Sequence, residues 1–194
     1  MKLYTFQKPA WWKICRQSGN YKADSSFIFD ELMRTPYYWM LEQYKKRIRE
    51  TSASALIWVW EKIPEDCRDG AMDWDIEEGY KENYLFIFEH SEKDVLWSCF
   101  DAWHIPLMDS KITSEEEEPI EEILPERYGW ERVFDFDWLL KNKYSYGETK
   151  QGVIDGFTED ELCAVYRFNE TSHSWELLYG KAVKLVELTH AFVE

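Results

Sequence analysis

No two cysteines stand in a Cys-x-x-Cys spacing and no histidines are paired at a metal-ligand spacing; Cys15, Cys67, Cys99 and Cys163 are dispersed, as are His90, His104, His173 and His190. This argues against a disulfide frame or a zinc site and for reduced, mostly buried thiols, and no metal is expected. Neither Gly-x-x-x-x-Gly-Lys nor Gly-x-Gly-x-x-Gly occurs, which removes the commonest phosphate-cradling loops. The longest apolar runs, "ALIWVW" and "YLFIF", fall far short of the ~20 residues a spanning helix needs. With no basic-then-apolar leader either, the expectation is a soluble, cytoplasmic protein without a membrane partner. Basic residues are scarce, 23 against 38 acidic ones, for a formal charge of -15. Nonspecific nucleic-acid binding is therefore not expected, because a phosphate backbone is repelled. Internal repeats and Gly/Ser linkers are also missing. A chain of 194 residues with 45% hydrophobic content suits one core and is short for two, so residues 1–194 read as a single globular domain.

Aromatic residues, by contrast, are abundant: 18% of the chain, with 11 Trp, 12 Tyr and 11 Phe. Each large ring buries on the order of 150–250 Å², so a few replace many aliphatics in a core. Rings with a polar tip equally suit a pocket or an interface.

Several elements are legible. "KLYTFQ" (2–7) alternates as a strand, and a short helix follows from Pro9, with Trp11, Ile14 and Cys15 on one face and Ser18-Gly19 at its end. Residues 20–34 fit an extended segment or a helical turn. Thr35-Pro36 reads as an N-cap and first position for a helix carrying Tyr37, Met40, Leu41, Tyr44 and Ile48 on one stripe. Residues 55–60 and 82–90 read as strands, separated by a polar stretch at 65–81. An acidic loop or insertion lies near 110–126, centred on Glu115 to Glu118; such a run cannot bury itself. Residues 130–140 suggest a strand running into a turn. Thr158 and Glu161 form a capping box for a short helix bearing Leu162, Val165, Tyr166 and Phe168. The C-terminal "AVKLVELTHAFV" reads as a strand. Strands and helices without regular alternation predict an α+β fold, with a mixed or antiparallel sheet and several short helices.

The densest chemistry is "WSCFDAWHIP" (97–106). Ser98 with Asp101 matches a capping box, which starts a helix near Cys99 with Phe100, Trp103 and Leu107 on one face and Pro106 ending it. At about 100° per residue, Ser98 and His104 are about 240° apart around such a helix, so a Ser-His-Asp triad does not close. Asp101 and His104, three residues apart, are within reach of each other, as an oriented base or as a surface pair. Cys99 lacks an identifiable basic partner and is not assigned as a nucleophile.

"MKLYTFQ" with Pro9 and Trp12, the helix holding Trp39, Met40 and Gln43, "LWSCFDAWH" and "GWERVFD" (129–135) together resemble a bacterial and phage family, domain of unknown function 3841. The likeness covers roughly the first 140 residues. It departs at Cys99, where the family pattern has Asp. The opening strand, short helix and Gly are also similar to the start of ADP-ribosyltransferase-type folds. That likeness implies a nicotinamide dinucleotide lined by Thr5 and Gln7 and stacked on Trp103, with Glu131 activating the ribose and Arg132 on a phosphate.

Two functions follow as expectations. One is a ligand-handling domain, nucleotide-binding and ADP-ribosyltransferase-like, with Glu131 and His104 as catalytic candidates and Tyr4, Thr5, Gln7, Asp101, Trp103 and Arg132 as ligand-binding candidates, its cofactor unassigned. The other is a noncatalytic acidic binder or inhibitor that engages a basic protein partner.

Overall fold

The computed structural model describes residues 1–28, 31–61, 83–144, 150–169, 171–172 and 174–182. Nine strands are described: β1 (Lys2–Gln7), β2 (Asn20–Tyr21), β3 (Ile57–Trp60), β4 (Tyr84–Glu89), β5 (Leu96–Cys99), β6 (Lys150–Ile154), β7 (Phe157–Thr158), β8 (Leu162–Asn169) and β9 (Ser174–Gly180). Seven of them form one sheet in the order β5-β6-β3-β1-β4-β8-β9, and β2 pairs with β7 in a small second one. Every described pairing is antiparallel. The helices are α1 (Pro9–Ser18), α2 (Glu31–Arg47), α3 (Phe100–Leu107) and α4 (Phe136–Lys141). The fold is α+β, as the irregular mixture of strand and helix patterns predicts.

Strand alternation divides the core between the two faces of the sheet. On one face Leu3, Ile57, Val59, Phe86, Phe88 and Val165 pack under Trp11 and Cys15 of α1. On the other, Leu56, Leu96 and Val153 meet Met40, Leu41 and Tyr44 of α2 and Ala102 and Trp103 of α3. This second layer continues across β3, β1, β4 and β8 through Trp60, Tyr4, Leu85, Ile87 and Tyr166. Pro9 opens α1 and Gly19, at φ +66°, closes it, as the Pro-first, Gly-after pattern requires.

Four local expectations are corrected. Helix α2 begins at Glu31 rather than at Thr35-Pro36 and carries Pro36 inside it; proline removes one amide hydrogen there, and packing of Met40, Leu41 and Tyr44 outweighs that local loss. Ser98 is no N-cap: it is paired with Gln151 within β5, and Cys99 takes the cap position without a side-chain hydrogen bond. Residues 130–134 form a 3-10 turn and 136–141 form α4, because Gly129 takes a left-handed conformation and the Asp135 carboxylate accepts the Trp138 amide as a cap. The Thr158–Glu161 capping box is present, but it closes a 3-10 turn, and Leu162 onward is strand β8. With β4 on one side and β9 on the other, ladder bonds decide for that segment what its own periodicity leaves open. The polar stretch at 65–81, Cys67, His173 and most of the C-terminal segment lie outside the described residues.

Candidate functional site

Register places a row of side chains across one face of the sheet: Ser98 opposite Gln151, Gln151 opposite Trp60, and Trp60 opposite Tyr4. The first turn of α3 leaves the sheet directly after Ser98 and Cys99. Phe100, half-buried, sets its ring edge-on to Trp60 at 4.8 Å, and His104, one turn further, stands edge-on to Phe100 at 4.7 Å. The His104 Nδ1 is 3.0 Å from the Phe100 carbonyl. A carbonyl only accepts, so Nδ1 is the donor of this contact, and the neutral tautomer that fits it has its lone pair on Nε2. Asp101 is exposed in the same first turn.

Gln151 is the anomaly in this row. It is 3% exposed, and its Nε2 is buried without a hydrogen-bond acceptor among the described residues. An unsatisfied buried donor costs roughly 1–3 kcal/mol. It lies on the face that α3 covers, beside a helix start whose cap residue makes no side-chain hydrogen bond. A first turn without a side-chain cap and a buried amide donor together form a donor-rich spot suited to an acceptor or anion.

The other candidates fall elsewhere. Thr5 and Gln7 alternate onto the α1 face, opposite Tyr4; the fully buried Thr5 hydroxyl donates to the Trp58 carbonyl at 2.7 Å and accepts from Gln7 Nε2 at 3.0 Å. Trp103 is buried among Tyr37, Trp39 and Trp58, with ring centroids 6.2, 6.3 and 5.0 Å away. Glu131 is exposed and pairs with Lys46 and Arg47 at 3.5 and 3.3 Å. The structure thus places Asp101 and His104 on α3, leaves Tyr4 three strands from Ser98 along the same face of the sheet, and sends Thr5, Gln7, Trp103, Glu131 and Arg132 to other surroundings. Gln151 and Trp60 escape a reading of the sequence because neither belongs to a motif. The available signal is a lone amide in the inward register of "KQGVI", visible only once that segment is read as a strand.

Arg132 is committed to the acidic loop. Its Nη1 and Nη2 donate to Glu117 Oε2 and Oε1 at 2.6 and 2.8 Å, and Nη1 also donates to the Ile112 carbonyl at 2.9 Å. The guanidinium lies 4.1 Å from the Trp138 ring centroid. Glu117 further accepts the Tyr128 hydroxyl at 2.6 Å and the Ser114 amide at 2.8 Å. One member of the acidic run is therefore a structural anchor. Arg132 first, then Tyr128 and Ser114, hold the Glu117 carboxyl well below the usual carboxylate range. A depressed folded-state value contributes stability above the ordinary carboxylate pKa of about 4.3, and that contribution is lost as pH falls through the folded value. Glu117→Gln is expected to cost roughly 2 kcal/mol at neutral pH. Urea melts at neutral and acid pH check this: the variant should lose less stability on acidification than the parent, and parallel losses would remove Glu117 as the anchor.

A family model described as Domain of unknown function (DUF3841) matches residues 2–124, a span that includes Tyr4, Trp60, Ser98, Asp101 and His104 but ends before Glu131, Arg132 and Gln151. Neither a curated protein nor a solved structure matches the chain.

Proposed function

The chain belongs to the DUF3841 family, whose description names no activity, and from its own residues we propose that it is a ligand-handling domain that takes a nucleotide or similar small anion at the start of α3. The observation that carries this reading is the Gln151 amide nitrogen, buried without an acceptor among the described residues beside a helix start that has no side-chain cap. A bound phosphate or carbonyl oxygen supplies the missing acceptor, and the helix dipole favours a negative one. Trp60 and Phe100 offer aromatic surface for a flat ring. Access requires Phe100 to swing off Trp60, a small movement for a half-buried side chain in a first turn. His104, with its Nε2 lone pair, is the base this arrangement offers for a proton on the ligand. An ADP-ribosyltransferase-type site requires Thr5, Gln7 and Glu131 around one ligand. Those three do not share a surface with the α3 start, so we propose binding and assign no reaction.

The test is a thermal-shift panel of nucleotides and dinucleotides on the parent and on Gln151→Leu. A ligand at a hundredfold excess over its dissociation constant stabilises the folded state by about 2.7 kcal/mol, a shift of roughly 5–10 °C for a chain of this size. Gln151→Leu should abolish the shift while leaving the free protein as stable or about 1 kcal/mol more so, because it removes an unsatisfied donor. No shift in the parent, or a full shift in Gln151→Leu, refutes the reading.

A further inference from the structure

Gln151 is not alone beneath α3. The indole nitrogen of Trp58, Nε1, is also buried without a hydrogen-bond partner among the described residues. The two side chains belong to one surface. Trp58 and Trp60, two residues apart on β3, point to the same face. Gln151 of β6 stands opposite Trp60 and is therefore diagonal to Trp58, a spacing that long side chains bridge. Helix α3 roofs both positions, with the Phe100 ring centroid 4.8 Å from that of Trp60 and the Trp103 centroid 5.0 Å from that of Trp58. The Tyr37 hydroxyl approaches the Trp58 indole nitrogen without reaching hydrogen-bond geometry. Both unpaired groups are donors, and an indole N–H has no acceptor role to exchange for that one. Neither is charged, and among the described residues no lysine or arginine hydrogen-bonds to or stacks on Trp58 or Gln151.

We infer that the group entering beneath α3 is the 6-oxo edge of a purine base, guanine or hypoxanthine, with any phosphate left at the mouth in solvent; this rests on the binding reading above and names the part of the ligand that is inserted. A phosphate placed between these two donors has no counter-charge, and a buried anion without one costs far more than a buried neutral acceptor. A ring carbonyl needs only donors. The edge of a 6-oxopurine offers two adjacent acceptors, O6 and N7, one for each unpaired N–H, whereas a 6-amino group replaces O6 with a donor and sets N–H against N–H. Uracil separates its two carbonyls by an N–H, which a pair of donors leaves unsatisfied. The indoles and the phenyl ring around the spot suit a flat base for the same reason that they suit one another.

Isothermal titration calorimetry of the parent with inosine, adenosine and inorganic phosphate tests this without relying on any variant. The two nucleosides share their sugar and ring skeleton and carry an oxo or an amino group at position 6. Inosine should bind, adenosine at least about tenfold more weakly, and phosphate alone without measurable heat. Trp58→Phe keeps an aromatic ring and deletes the N–H; it should weaken inosine about tenfold and so narrow the gap between the nucleosides. Adenosine bound as tightly as inosine, or phosphate bound without a base, overturns the inference and leaves the binding reading in place. Nucleosides that do not bind a parent still stabilised by nucleotides have the same meaning. Absence of binding by nucleosides and nucleotides alike removes both.

Discussion

Trp103→Ala should lower stability by about 3–5 kcal/mol, and the melting temperature by roughly 10 °C. The indole is 2% exposed and sits where α2, α3 and β3 converge, against Tyr37, Trp39 and Trp58. Trp39 carries the contact onward to Trp130 and Phe134. Removing the ring therefore opens a cavity at the junction of elements that are far apart in sequence, and rigid neighbours on several sides cannot collapse into it. Trp103→Phe, which keeps most of the volume, should cost about half as much. Equilibrium urea unfolding of the two variants reads this directly. A ring whose main task is stacking on a bound dinucleotide gives the opposite pattern: little change in the free protein and a lost ligand response. Near-parent stability for Trp103→Ala would return that residue to the list of ligand contacts.

The contrast shows why the fold was more legible than the site. β1, α1, β3 and β4 could be read because their signals are local: alternation in "KLYTFQ", Pro9 and Gly19 around α1, and apolar runs of strand length at 55–60 and 82–90. Segments whose state depends on distant pairing could not. Leu162–Asn169 carries a capping box at its start and an apolar spacing compatible with a helix, yet β4 and β9 flank it and make it a strand. Ser98 satisfies a cap pattern on paper, but pairing with Gln151 extends β5 through it and moves the helix start to Phe100.

The candidate site follows the same rule at longer range. Tyr4, Asp101 and His104 were singled out for their residue types; the last two share α3, and Tyr4 lies three strands from Ser98 on the same face of the sheet. Thr5 and Gln7, one and three residues from Tyr4, are carried to the opposite face by the two-residue period of the strand. Glu131 and Arg132 are neighbours in sequence, yet one turns to α2 and the other to Glu117. Gln151 was invisible because a buried amide lacking an acceptor is defined by what surrounds it, and no spacing in the sequence encodes that.

Gly129→Ala is expected to cost about 3 kcal/mol or more, although it adds a single methyl group. Gly129 has φ +74°, and a Cβ built there falls 2.0 Å from the Ile112 carbonyl oxygen. Two penalties therefore add: the left-handed backbone, about 1 kcal/mol for an alanine, and a collision with backbone that cannot step aside cheaply. The Ile112 carbonyl accepts Arg132 Nη1, and the Ile112 amide donates to the Tyr128 carbonyl at 3.0 Å. Displacing that strand of chain loosens the Arg132–Glu117 clamp and with it the acidic loop. Gly19 supplies the internal control, because it has a similar φ of +66° and no heavy atom within 4 Å of its added Cβ. Gly19→Ala should cost only the conformational penalty of about 1 kcal/mol. The difference between the two variants in urea unfolding measures the close approach at Ile112 alone. If Gly129→Ala also lowers the acid sensitivity that Glu117 confers, the turn at 129 and the clamp act as one unit; equal losses in the two glycine variants would show that the chain at Ile112 yields freely.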